Sequence, residues 1–135
     1  MTWWRYLSRA LALVGTLFTA GAAAAQEREA PGWADIDAGR VAFNLECRSC
    51  HSLKRGETVK GPSLAGVYGR RAGSEPTYDY SDQLKNAKIV WTEETLDTYL
   101  SNPFNMGTQV NMIIHGLRDQ KMRTDLIAFL KHNAK

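Results

Sequence analysis

The chain has 135 residues, 44% hydrophobic and 23% charged, a balance that excludes disordered and collagen-like chains and points to a soluble globular protein. Its formal charge of +3 comes from 17 Lys and Arg against 14 Asp and Glu. Arg5 and Arg9 precede every acidic residue, so the part after Ala25 carries only +1 and has no basic stripe, which gives no case for a nucleic-acid partner.

Residues 1–25 differ from the rest. Arg5 and Arg9 flank the aromatic start M-T-W-W-R-Y, the apolar run A-L-A-L-V-G-T-L-F-T-A follows, and G-A-A-A-A ends with the A-x-A pattern of Ala23 and Ala25. A basic start, a short apolar middle and a small-residue end predict a secretory signal peptide cleaved before Gln26. The alternative is an uncleaved membrane anchor, although Ala10 to Ala25 falls just short of a spanning length. Without a twin-arginine pair, export takes place in the unfolded state. Residues 26–34 then form a flexible extension and 35–135 a single domain, large enough for one modest core.

The first predicted helix follows. Asp35 and Asp37 suit the positive end of its dipole, and Ile36, Gly39 and Phe43 repeat at i, i+3 and i+7 as a buried face. It leads into E-C-R-S-C-H-S, which holds the chain's two cysteines, Cys47 and Cys50, with His51 directly after. In an oxidising compartment a disulfide is one reading. A thioredoxin-like pair needs a preceding strand, and the spacing here is helical; a zinc site needs four ligands, with only His51, His115 and His132 as obvious additions. C-x-x-C-H is also the attachment site of c-type haem, and that chemistry uses all three residues together. Each thiol adds across one vinyl group, and the adjacent imidazole falls beneath the iron.

From His51 to Ser81 the chain is rich in Gly and Pro with little periodicity. So long a loop is unusual in a self-supporting domain but suits a chain wrapped around a large apolar cofactor. Thr92 then caps a helix with Glu93 and Glu94 in its first turn, buries Leu96, Tyr99 and Leu100, and ends at Asn102-Pro103. The last helix carries Met122, Leu126, Phe129 and Leu130 on one face, so Met122 reads as core, and His132 as solvated surface. For a second iron ligand, Met106 and Met112 in N-P-F-N-M-G-T-Q-V-N-M-I-I-H-G-L remain close on residue chemistry alone.

The segment from about Asp35 to Lys131 resembles the mitochondrial and alphaproteobacterial branch of class I cytochrome c. The motifs that carry the resemblance are C-R-S-C-H, K-G-P-S-L-A-G-V-Y-G-R-R-A-G, Y-D-Y-S-D, I-V-W-T-E-E-T-L-D-T-Y-L-S-N-P, M-I-I-H-G-L and D-L-I-A-F-L-K. It implies an all-α cytochrome c fold: three main helices with long loops wrapped around one haem c, covalent through Cys47 and Cys50. It further implies His51 and Met112 as the axial iron ligands, with the Pro62 carbonyl accepting from His51 Nδ1–H. Arg70, Tyr80 and Trp91 would surround a buried propionate, and Tyr99 would lie beside the Met112 sulfur. Gly39 and Phe43 match the first helix's contact face, Leu126 and Phe129 the last helix's.

Two departures stand out. Where the family has P-G-T-K-M, this chain has T-Q-V-N-M, Thr108 to Met112, so Val110 replaces a small hydroxyl residue that braces the loop. Where members that meet a mitochondrial-type oxidase carry a lysine ring, this chain has Phe104, Asn105 and Asn111, with Glu46 and Asp119 acidic and Lys60 and Lys88 remaining. Docking is then expected through a small apolar patch of Phe104, Ile113 and Ile114. With both axial positions filled by protein, Fe(III)/Fe(II) exchange is what remains, and a thioether ligand favours the reduced metal. The expectation is a monomeric periplasmic one-electron carrier, not an enzyme, in a respiratory chain. Its partners would be redox proteins: an oxidase, a cytochrome bc1-type complex or a periplasmic dehydrogenase. The membrane would be reached only through those partners or an uncleaved signal. The alternative is a haem-based sensor or gas-binding protein whose distal Met112 leaves readily.

Overall fold

Helix α1 (Ile36–Ala42) begins where the Asp35 carboxylate accepts hydrogen bonds from the amides of Asp37 and Ala38, at 2.9 and 3.1 Å. The computed structural model of the protein describes residues 33–106, 112 and 115–133. The predicted signal segment, the T-Q-V-N stretch with Val110 and Asn111, and the patch residues Ile113 and Ile114 lie outside them. After Ala42 the helix does not stop but widens into a π-helical turn, Phe43–Cys47, in which Arg48 N–H reaches the Phe43 carbonyl at 3.0 Å. Periodicity gave no sign of this extra residue.

Helix α1 crosses the last helix, α4 (Gln120–His132), at Gly39. A Cβ there would collide with the Asp125 carbonyl oxygen and lie 2.7 Å from Phe129 Cβ, so only glycine allows the approach. One turn on, the rings of Phe43 and Phe129 sit 5.7 Å apart, and Leu126 is fully buried beside them. Ile36 departs from expectation. It is 42% exposed, because as the first residue of α1 it lies at the rim of the contact, and the buried stripe is Gly39, Ala42 and Phe43. Asp125, itself buried, fastens the same corner: it accepts from the Asp35 amide at 2.8 Å and from Lys121 Nζ at 2.6 Å.

Two shorter helices lie between. Helix α2 (Asp82–Asn86) is capped by Ser81 and buries Leu84. Helix α3 (Glu93–Ser101) opens with Thr92 and Thr95 capping each other's amides, buries Leu96, Tyr99 and Leu100, and stops at Asn102. A 3-10 turn, Pro103–Met106, follows. Arg123 of α4 ties the helices together: its Nε donates to Asp97 of α3 at 2.7 Å and its Nη1 to the Leu117 carbonyl at 2.6 Å. Met122 is half-buried and packs against the core, and His132 is exposed.

Among the described residues there is no strand, only an isolated bridge between Arg71 and Val90. The fold is all-α, and the long segment from Ser52 to Ser81 runs without a helix. No helix of the described residues is long and apolar enough to cross a membrane.

Candidate cofactor site

The π-helical turn ends on Cys47, and the next residues fold back on it: the amides of Cys50 and His51 both donate to the Cys47 carbonyl, at 3.0 and 2.9 Å. That turn sets the two thiols and the imidazole together. The Gly61 amide donates to the Cys50 carbonyl at 2.8 Å, which brings the following loop against the His51 ring. The approach is so close that a Cβ on Gly61 would run into His51 Cε1 and lie 2.8 Å from Nδ1. In this position the Pro62 carbonyl accepts from His51 Nδ1 at 2.8 Å, the contact expected from the sequence. Burial lowers the imidazole's pKa, against the raising effect of the Pro62 bond. A neutral ring that gives its Nδ1 proton to Pro62 keeps the Nε2 lone pair for a metal.

Both cysteines are unpaired, Cys47 buried and Cys50 half-buried. Burial pushes the Cys47 thiol up to about 12, with Glu46 and Cys50 adding to the shift. Cys47 therefore presents a protonated thiol and not a nucleophilic thiolate.

These groups open onto a cavity of about 330 Å³. Cys47, Cys50, His51, Pro62, Arg70, Tyr80, Trp91, Tyr99 and Met112 all line it, so every site residue expected from the sequence meets at one place. Leu64 and Val67 of the loop, Leu84 of α2, Leu96 and Leu100 of α3, and Leu126 and Leu130 of α4 make the walls apolar. Trp91 and Tyr99 pack with ring centres 5.0 Å apart, and Tyr78 meets Tyr80 edge-on at 4.9 Å. Burial raises the Tyr99 hydroxyl to about 12, with Tyr78 and Tyr80 adding to it, and burial also raises Tyr80. Both stay neutral donors. Met112 is half-buried at the wall, whereas His115 is exposed and is not among the lining residues. Arg71 is exposed, unlike its neighbour Arg70.

Arg70 tests what the cavity would accept. Its Nη1 donates to the Ala65 carbonyl at 3.0 Å and to Glu75 Oε2 at 2.8 Å, and its Nη2 to the Ser63 carbonyl at 2.8 Å. Its Nε–H is buried and has no partner among the described residues. A buried donor without an acceptor is costly, and an anionic oxygen in the cavity would complete it. The residues present therefore fit a flat, apolar, metal-bearing group with carboxylate arms.

Sequence reasoning missed several contributors. Ser63 is fully buried, donates to the Lys54 carbonyl at 2.6 Å and accepts from the Ala65 amide at 3.1 Å, shaping the loop behind Pro62. Glu75, which holds Arg70, and Tyr78 lie where no periodicity marks buried positions. For Gly61 the only available signal is its place before Pro62.

The family described as cytochrome c matches residues 36–134. A cytochrome c from Euglena viridis is 40% identical over 97 residues, 72% of this chain and 95% of its own length. One from Theileria annulata is 44% identical over 94 residues, 69% of this chain and 81% of its own. Among solved structures, cytochrome cH from Methylobacterium extorquens superposes with a TM-score of 0.68 at 34% identity, covering 73% of this chain and 98% of that one.

Proposed function

Because the chain belongs to the cytochrome c family, an electron carrier and not an enzyme whose cofactor is covalent haem c, we propose that it is an exported one-electron shuttle built on the cavity described above. Bound there, haem iron supplies Fe(III)/Fe(II) exchange. Cys47 and Cys50 hold the group by thioether links, which prevents its loss outside the cytoplasm. His51 would hold the iron through Nε2, with Pro62 fixing its tautomer, and Met112 would supply a second, thioether ligand. Arg70, Tyr80 and Trp91 donate toward a propionate, and the leucine walls exclude water. With His51 and Met112 both given to the iron, the chain would leave no open site for small molecules.

The single observation that carries this reading is the His51–Pro62 contact of 2.8 Å, made in a cavity that the two cysteines and Met112 also line. Oxidised and reduced absorption spectra of the haem-matured protein test it, together with extraction in acidic acetone. Pigment that stays with the protein and a methionine–iron charge-transfer band lost in Met112→Ala are expected. Extractable pigment, or a band unchanged in Met112→Ala, would overturn it.

Location and partners follow from the sequence. The basic, apolar and A-x-A order of residues 1–25 supports release into the periplasm with Gln26 as the first mature residue. The mass of the purified protein checks this. The exposed ring of Phe104 and the lack of a lysine ring support docking to an oxidase, a cytochrome bc1-type complex or a dehydrogenase without strong electrostatic steering. Electron-transfer rates that change little with added salt are expected, and a steep fall would sink this docking mode.

A further inference from the structure

We propose that Glu75 sets the reduction potential of the centre, acting through Arg70 as a positioning residue. The inference rests on reading the cavity as the haem site. Glu75 does not line the cavity; it stands behind Arg70, with its side chain only 10% exposed and that of Arg70 19% exposed. Glu75 Oε2 accepts from Arg70 Nη1 at 2.8 Å, while Oε1 accepts from Thr77 Oγ1 at 3.3 Å.

Two consequences follow. The first is orientation: with both Nη1 hydrogens taken by Glu75 and Ala65 and one Nη2 hydrogen by Ser63, the guanidinium is fixed and its buried, unpartnered Nε–H is left for the cofactor. The second is charge. An isolated guanidinium beside the site would favour the electron-richer Fe(II) state. Where water is excluded, a carboxylate 2.8 Å from that guanidinium cancels much of its field at longer range. Glu75 therefore holds the potential below the value Arg70 alone would set.

The experiment is a spectroelectrochemical titration of haem-matured Glu75→Gln against wild type. Glutamine keeps the size and an acceptor oxygen but removes the charge. At a fixed mediator potential the Fe(II):Fe(III) ratio should rise about three- to tenfold, a midpoint about 28 to 59 mV higher for a one-electron couple. The shift should persist in ~1 M salt, where the Debye length is about 3 Å, whereas any shift in the exposed Glu94→Gln should vanish. A variant with the wild-type spectrum and the wild-type midpoint overturns the inference but leaves the haem reading standing; a wild-type protein without covalent haem overturns that reading instead. Should Glu75→Gln yield no holoprotein, NMR of the wild-type holoprotein decides. Separate, slowly exchanging Arg70 guanidinium signals support the Glu75 clamp, and averaged, rapidly exchanging ones overturn it.

Discussion

Where α1 crosses α4, the chain is held by its own side chains: Gly39 against the Asp125 backbone, Phe43 against Phe129, and the Asp125 carboxylate on the Asp35 amide. The segment from Ser52 to Ser81 has no helix of its own: it gives Val67 and Ala72 to the core, with Leu53, Leu64, Tyr68 and Tyr80 partly buried against it. It is also fastened by scattered polar links, among them Ser63 to Lys54, Thr58 to Thr77, and Gly69 to the Trp91 carbonyl, and Leu64, Val67, Tyr78 and Tyr80 line the cavity. One half of the molecule completes its core with protein atoms, and the other leaves the space for a cofactor. The difference shows how so small a domain carries a thirty-residue irregular loop: the bound group acts as the missing core.

The comparison breaks most completely without the cofactor. An apolar cavity of about 330 Å³ left without its occupant deprives the loop of the contacts that order it, a large loss against a domain stability of about 5 to 15 kcal/mol. Cys47→Ser/Cys50→Ser chain freed of haem should show no cooperative denaturant transition by circular dichroism. A sharp transition would mean that the loop supports itself. Next in size is Gly39→Val, which attacks the self-packed half. Overpacking against backbone should cost about 3 kcal/mol in the holoprotein, read from the denaturant midpoint at constant slope. Ser63→Ala removes two loop hydrogen bonds from a fully buried site and should cost about 1 to 3 kcal/mol. Hydrogen exchange should rise around Lys54 and Ala65 while α1 and α4 stay protected.

The smallest effect concerns the α1 cap. Hydrogen bonds from the Ala38 and Asp37 amides hold the Asp35 carboxyl below its usual value of 3.8. A carboxyl depressed on folding contributes stability above that value and loses it as pH falls through the folded one. Asp35→Asn should therefore melt slightly below wild type at neutral pH, with the gap closing under strongly acidic conditions. A gap independent of pH would show that the charge plays no part.

What the sequence made legible tracks how local the cause is. C-R-S-C-H, the Thr92 cap and the stop at Asn102-Pro103 are decided within a few residues, and each appears where expected. The residues that motif blocks point to, spread from Cys47 to Met112, line one cavity. Glu75 and Ser63 were not, because their burial depends on where an aperiodic loop folds. The exposure of Ile36 escaped for a related reason, since a helical repeat shows which face turns inward but not where the partner helix ends.

The π-helical turn at Phe43–Cys47 has a consequence for chain length. The one residue that the i→i+5 bond inserts advances everything downstream by about 100° relative to an ordinary α-helix. Shortening this stretch by one residue would restore regular winding, yet swing both sulfurs and the imidazole away from the opening they now border. Loops elsewhere absorb insertions and deletions readily, but here a single-codon deletion should be tolerated by the helix and fatal to pigment attachment.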